Sequence, residues 1–207
     1  MINIIINRGE ICFMSTKRGI GTLLLVVMVL LNSIIPAYAI TAKQITDVPT
    51  HSITSVHIVF VKQEKTNWCW AATAQMTGKC VYPSSNVTQT QIVVHVKGED
   101  VNKPANPNET ADGTMYATND TTSFSGELGA MSFRSVKNCI NKGRPVQPLV
   151  NNGVTGHYYV IYGYNEASNG DYLYIADPWD GYGKYVSYLD FVNGTWSDTR
   201  PWLASVK

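Results

Sequence analysis

Neither sign of charge dominates this chain. Sixteen Lys and Arg stand against 15 Asp and Glu over 207 residues, for a formal charge of +1. Nucleic acid, anionic membrane surfaces and polyacidic substrates are each drawn in by a strong positive field, and no such field exists here. Charged residues are scarce altogether, at 15% against about 25% in an average globular chain. Cysteine is scarce too. Cys12, Cys69, Cys80 and Cys139 include no C-x-x-C and share no ligand-like spacing, which excludes a disulfide-rich miniature scaffold and a structural zinc site. No internal repeat is visible. What is present is apolar: 44% of residues are hydrophobic and 11% aromatic. That composition excludes a disordered chain and suffices for the core of one domain.

Residues 14–39 read MSTKRGIGTLLLVVMVLLNSIIPAYA. Lys17 and Arg18 form a basic start, Leu23 to Leu31 an unbroken apolar run, and Ala37-Tyr38-Ala39 an A-x-A cleavage site behind Pro36. This is the order of a secretory signal peptide. The unbroken run falls short of the roughly 20 residues that span a bilayer. Residues 1–13 carry the acidic Glu10 ahead of the basic start and do not fit the signal. Arg8-Gly9-Glu10 can be encoded AGA-GGA-GAA, a purine-rich bacterial ribosome-binding core shortly before Met14. Residues 1–13 are therefore expected to be an untranslated or upstream extension, with Met14 the start and the source bacterial. The sequons at Asn86, Asn108, Asn119 and Asn193 would then carry no eukaryotic glycan. The mature domain is expected over residues 40–207, secreted and without stable membrane association once the signal is removed.

Within it, Ser55 to Lys62 is strand-like. Trp68 to Thr77 has the composition of a short buried helix ended by Gly78. Val87 to Lys97 reads as a helix capped by Thr88 or Ser85, with Val93-Val94 leaving a strand open. Asn102 to Gly126 is dense in Asn, Thr, Pro and Gly without periodicity and reads as a long surface loop or connector. Ser132 opens a helix with Phe133, Val136, Cys139 and Ile140 on one face and Gly143 as its C-cap. From there the texture is strand-like: Val146 to Val150, Tyr158 to Tyr164, Tyr172 to Ala176 and Gly183 to Tyr188. Nine of the 12 Tyr fall between 158 and 188, as β propensity favours. Helices first and strands second predict an α+β fold with two lobes.

One stretch carries chemistry. In Gln63-Glu64-Lys65-Thr66-Asn67-Trp68-Cys69-Trp70-Ala71-Ala72, a cysteine sits at the expected first turn of a helix. A helix N-terminus and a nearby imidazolium both favour the thiolate, the form that attacks carbonyls. A lone cysteine between two tryptophans is more commonly a packed one, so the reading depends on its partners. Gln63, six residues earlier, could join the Cys69 amide in holding an oxyanion. The base comes from His51, His57, His95 or His157. His51 lies in the N-terminal tail, and His57 and His95 lie in periodic apolar segments. His157 follows Thr155-Gly156 and opens the apolar run HYYVIYGY, so it can face a cleft while the strand fills the core. Asp177 ends the next strand before Pro178 and could orient the imidazole, in preference to Asp180 beyond Trp179.

The order Gln63, Cys69, His157, Asp177 resembles the papain-like cysteine peptidases: Gln six before the nucleophile, Cys-Trp-Ala at a helix start, Gly-His on a strand, then Asn or Asp. The N-W-C-W-A-A signature is most similar to small secreted bacterial members, the peptidase C39-like and effector-protease groups. The C-G-[SA]-C-[WY] of the plant and lysosomal enzymes is absent, and the Asp-Cys-Gly of bacteriocin-leader peptidases is replaced by Trp68-Cys69-Trp70. The resemblance implies a papain-like two-lobe fold, with an N-terminal helical lobe carrying the Cys and a C-terminal antiparallel β lobe carrying His and Asp. It implies a monomer that hydrolyses peptide or protein substrates through Cys69, His157, Asp177 and Gln63, with no cofactor and no metal. The same triad could instead serve transglutaminase-like transfer or peptidoglycan amidase chemistry, and the scaffold could serve as a secreted binding module. With Cys69 kept free, Cys80 and Cys139 are the pair left for a disulfide in an oxidising compartment, although both also fit as small apolar helix residues.

Overall fold

The computed structural model describes residues 5–7, 10–12 and 54–207. The signal-peptide reading of 14–39, the start of the mature tail and His51 lie outside the described residues. The chain divides into two compact units, residues 1–48 and 49–207. In the first, β1 (Ile5–Asn7) and β2 (Glu10–Cys12) pair antiparallel, Ile5 opposite Cys12.

The second unit begins with β3 (Thr54–Ser55), which pairs with β7 (Val160–Ala167). The strand expected over Ser55 to Lys62 is mostly not one: Val56 adds a single bond to the Tyr162 carbonyl. Beyond it the chain is in no regular element, with Ile58 packed beside Met76, Val160 and Ala176.

Helix α1 (Cys69–Val81) buries residues all round its axis, including Trp70, Ala71, Ala74 and Met76. That is the mark of a central helix. Gly78 lies inside this helix rather than ending it. A Cβ there would stand 2.6 Å from the Cβ of Ala117, so Gly78 is the close-approach point between α1 and α3 (Pro107–Ala117). Between them in sequence lies α2 (Gln89–Lys97), where Thr88 and Gln91 form a capping box and Gly98 closes the C-terminus at φ 79°.

Helix α3 corrects the long loop expected over Asn102 to Gly126. Its buried side is Thr110, Ala111, Gly113, Thr114 and Ala117, residues too small and polar to register as an apolar stripe. Its start was nevertheless written in the sequence. Asn106 accepts from the Asn108 and Glu109 amides, Glu109 returns to the Asn106 N–H, and Pro107 holds the first helical position.

The rest is α+β with antiparallel sheets. After β4 (Gly126–Leu128), Ser132 caps α4 (Phe133–Ile140), and Gly143 turns at φ 75° three residues beyond its end. Then follow β5 (Gln147–Asn151), β6 (Gly156–Tyr158), β7, β8 (Gly170–Asp177), β9 (Tyr182–Ser187), α5 (Tyr188–Asn193) and β10 (Trp202–Val206). The strand expected from Tyr158 to Tyr164 is two. The chain leaves the sheet β4-β10-β5-β6 at Tyr159 and enters the sheet β3-β7-β8-β9 at Val160. Elements β4, α5 and β10 were not foreseen.

Two cores flank that crossing. Val136, Ile140, Ile161, Leu173, Ile175, Phe191 and Trp202 pack together, and Tyr158 turns the other way to join Trp68, Trp70, Ala74, Ile92 and Ala117. Burial of one such aliphatic side chain stabilises by about 1.5–3 kcal/mol. Cys80 at the end of α1 and Cys139 in α4 are both free thiols, so of the two readings open for them the structure has the unpaired helix residues rather than the disulfide. No described helix is long and apolar enough to cross a membrane.

Candidate active site

Cys69 is the first residue of α1, and the residue before it, Trp68, offers no side-chain cap. The first N–H groups of a helix have no intrahelical acceptor; here the first bond of the ladder runs from the Ala72 N–H to the Trp68 carbonyl. The helix therefore presents uncapped donors, with their partial positive charge, at the residue that carries the thiol.

The approach to Cys69 is held from both sides. Fully buried Gln89 accepts from the Glu64 N–H and donates to the Lys62 carbonyl, at 3.0 and 2.8 Å, bracketing Gln63. Asn102 accepts from the Asn67 N–H at 2.9 Å and donates to Thr66 Oγ1 at 2.8 Å. The indole N–H groups of Trp68 and Trp70 donate to the carbonyls of Val101 and Lys103. These clamps from residues 89 and 101–103 were not foreseen. They link segments more than 20 positions apart, and neither helical nor strand periodicity marks them.

On the sheet side, His157 lies in β6, whose three residues pair with Leu149, Val150 and Asn151 of β5. Its Nε2 meets Asp177 Oδ1 at 2.8 Å, and both side chains are buried. Cys69 shares the cleft with the ring and its side chain acts on the imidazole; with Nε2 committed to Asp177, Nδ1 is the nitrogen left for the thiol. Tyr159 sets its ring edge-on to the imidazole at 4.7 Å, and its hydroxyl donates to Asp198, which Arg200 grips through Nε and Nη2 at 2.7 Å each.

Asp177 ends β8 and is fully engaged. Oδ1 also accepts the Trp179 N–H at 2.8 Å, and Oδ2 takes Lys184. Asp180 does not bond the imidazole; its Oδ1 accepts the Tyr182 N–H at 2.9 Å and its Oδ2 meets Lys184 at 3.1 Å. Lys184 was not foreseen. Its place follows from register: in the β8–β9 hairpin Asp177 faces Tyr182 and Ile175 faces Lys184. Since Ile175 and Asp177 share a face, Lys184 is the diagonal neighbour of the carboxylate.

Burial opposes a charged imidazole, yet the bond it donates to Asp177, the Cys69 side chain and the negative charge around them outweigh it, raising His157 from 6.5 to about 9. Burial likewise opposes an ionised Asp177, and the His157, Lys184 and Trp179 donors outweigh it, lowering the carboxyl to about 2. The two shifts describe one mutually stabilised pair.

Cys69, His157, Asp177 and Lys184 line a cleft of about 670 Å³, bounded by Thr66, Asn67, Val154, Trp179 and Arg200 among others. Trp179 is 60% exposed at its edge. Gln63 does not line this cleft. Its Nε2 donates to the carbonyls of Lys65 and Thr66, both at 2.9 Å, while its buried Oε1 has no partner. It therefore braces the loop that delivers Cys69.

The remaining histidines stand apart. His57 is exposed in a separate groove with Cys80, and His95 stacks on Tyr116 at 4.2 Å and faces Asp112. Among the described residues no cluster of three His, Cys, Asp or Glu could hold a metal ion.

The family model described as Peptidase_C39 like family matches residues 55–201, a span that includes Gln63, Cys69, His157, Asp177 and Lys184. No curated protein matches the chain.

Proposed function

The chain belongs to the Peptidase_C39 like family, and from that membership we propose that it is a secreted bacterial cysteine peptidase acting through Cys69, His157 and Asp177 on a papain-like two-lobe scaffold. One observation carries the reading. A cysteine at an uncapped helix N-terminus meets an imidazole whose far nitrogen is held at 2.8 Å by a buried carboxylate. Nucleophile, base and orienting group stand in the sequence of contacts that acyl transfer needs. Secretion and a bacterial source rest on residues 14–39 and on the codons open to Arg8-Gly9-Glu10.

The resting state is a thiolate–imidazolium pair. The Cys69 sulfur attacks the substrate carbonyl carbon and the carbonyl oxygen becomes an oxyanion, met by the Cys69 N–H at the helix start. The C–N bond breaks as His157 passes its Nδ1 proton to the leaving amine, leaving a thioester on Cys69. Neutral His157 then takes a proton from water as the hydroxyl oxygen attacks the thioester. The acid departs, and the sulfur and imidazolium are restored. Asp177 accepts from Nε2 throughout, holding the ring in one orientation. Gln63, which braces the loop in this structure, would join as a second oxyanion donor only by turning its amide into the cleft and giving up its bond to the Lys65 or the Thr66 carbonyl.

The test is incubation of the mature protein with a diverse peptide library, followed by mass spectrometry of the products. Peptidase action gives new termini at a restricted set of peptide bonds. Products joined to an added amine, or cleavage confined to purified cell wall, would assign the same triad to transglutaminase-like or peptidoglycan amidase chemistry. No product of any kind would favour a binding module.

A further inference from the structure

Among the described residues Lys184 is the one cation besides the His157 imidazolium in direct contact with the orienting carboxylate, and nothing in the proposed reaction uses it. It stands on β9, diagonal to Asp177, with its ammonium shared between Asp177 Oδ2 and Asp180 Oδ2. Its side chain is 34% exposed, while that of Asp177 is 5% exposed. The carboxylate thus has one oxygen turned to His157 and the Trp179 amide, and the other turned to Lys184. Without Lys184, Oδ2 would keep no protein donor, and the carboxylate could rotate about its Cβ–Cγ bond.

We propose that Lys184 is a positioning residue that pins Asp177 by Oδ2 and partly neutralises its charge, so that the imidazolium of His157 is held in place but remains able to give up its proton. The proposal rests on the peptidase reading for its catalytic meaning. The geometry on which it stands is independent of that reading.

The chemistry explains why such a brake is useful. A fully unscreened carboxylate behind an imidazolium makes the ring a poorer acid, and the ring must protonate the leaving amine in the first half of the reaction. A cation on the far oxygen draws off part of that field. The other groups facing His157 are Cys69 from α1 and, through Tyr159, the Asp198–Arg200 pair, whose charges balance. Asp180 bears on His157 by competing for the ammonium and by its own charge, and both effects have the same sign. The sign of each change is therefore fixed. Loss of Lys184 strengthens the pull of Asp177 and raises the pH at which His157 loses its proton; loss of Asp180 leaves the ammonium more fully on Asp177 and lowers it.

The experiment is NMR titration of the His157 ring in the wild type, Lys184→Met, Lys184→Arg and Asp180→Asn, with the alkaline limb of kcat/KM followed beside it. For a charge near the surface of a protein, the expected rise in Lys184→Met is about one pH unit. Lys184→Arg is expected to stay close to wild type and Asp180→Asn to move the other way. An unchanged midpoint in folded Lys184→Met overturns the proposal, since a purely structural lysine would leave the titration alone. If that variant does not fold, an unchanged or raised midpoint in Asp180→Asn overturns it equally. The ring titration needs no turnover. A wild type that cleaves nothing while its His157 responds as expected would defeat the peptidase reading and leave the Lys184 assignment standing.

Discussion

His157 Nε2 and Asp177 Oδ1 lie 2.8 Å apart, although they stand on strands of two different sheets. The bond depends on the crossing at Tyr159, which ends one sheet and starts the next and so brings the rim of β6 beside the end of β8. A conservative change at either residue tests more than a single contact.

At Asp177 the sequence alone suggests a mild Asp177→Asn effect, because an amide oxygen can accept from a doubly protonated imidazole. The Lys184 contact alters that expectation. With the amide oxygen facing His157, the amide NH₂ faces the Lys184 ammonium, donor against donor. Asp177→Asn is therefore expected to lose activity clearly and to recover part of it in Asp177→Asn/Lys184→Met. Asp177→Ala should be worse, since it strands a buried imidazolium, a loss of about 3–5 kcal/mol when one partner of a buried pair is removed. Asp180→Ala should stay close to wild type. Steady-state kinetics on folded variants checks the order.

The pH dependence follows from the same pair. His157 is raised from 6.5 to about 9, so its contribution to stability is complete below about 6.5 and is lost as pH rises through about 9. Asp177 is lowered from 3.8 to about 2, so its contribution is present above about 3.8 and is lost as pH falls through about 2. Both describe one interaction and are counted once. The alkaline limb of kcat/KM is expected near pH 9, with a parallel fall in melting temperature. A limb near 6.5 would mean that the imidazole is not held by this pair.

Gly78 gives a test in the scaffold. Gly to Ala inside a helix ordinarily stabilises by about 1 kcal/mol. Here the new methyl would stand 2.6 Å from the Ala117 Cβ and 2.8 Å from the Ala117 carbonyl oxygen. Overpacking of that kind costs about 1–3 kcal/mol and should win. Thermal melts are expected to show Gly78→Ala less stable than wild type and Gly78→Ala/Ala117→Gly partly restored.

Cys69, Cys80 and Cys139 should differ in reactivity. Burial pushes the Cys80 thiol up to about 11 and raises Cys139 as well, so neither is readily ionised near neutrality. Iodoacetamide should label Cys69 first, and unreduced denatured protein should show all three as free thiols. Equal labelling rates would contradict the pairing of Cys69 with His157.

The chemistry was more legible than the scaffold. Gln63, Cys69, His157 and Asp177 stood out because each has a residue type and chain position that acyl transfer requires, and the structure brings the last three together. Gln63 shows the limit of that logic. Its spacing is right, but where its amide points is decided by the Lys65 and Thr66 carbonyls. Helix α3 was hidden because its buried side is Thr, Ala and Gly, although Asn106, Pro107 and Glu109 spelled its start. Gly78 read as a stop because glycine commonly ends helices, whereas here it makes room for Ala117. Lys184 could not be read at all. Its contact depends on the hairpin register, and a shift of one residue would turn it to the opposite face.

The central claim is that Cys69 is the nucleophile of a peptidase. The most direct measurement compares turnover of one cleaved peptide by wild type, Cys69→Ala, Cys80→Ala and Cys139→Ala, each checked for folding. Cys69→Ala should fall to the uncatalysed background while the other two retain activity. Cleavage by Cys69→Ala at the same bond and a comparable rate would contradict it.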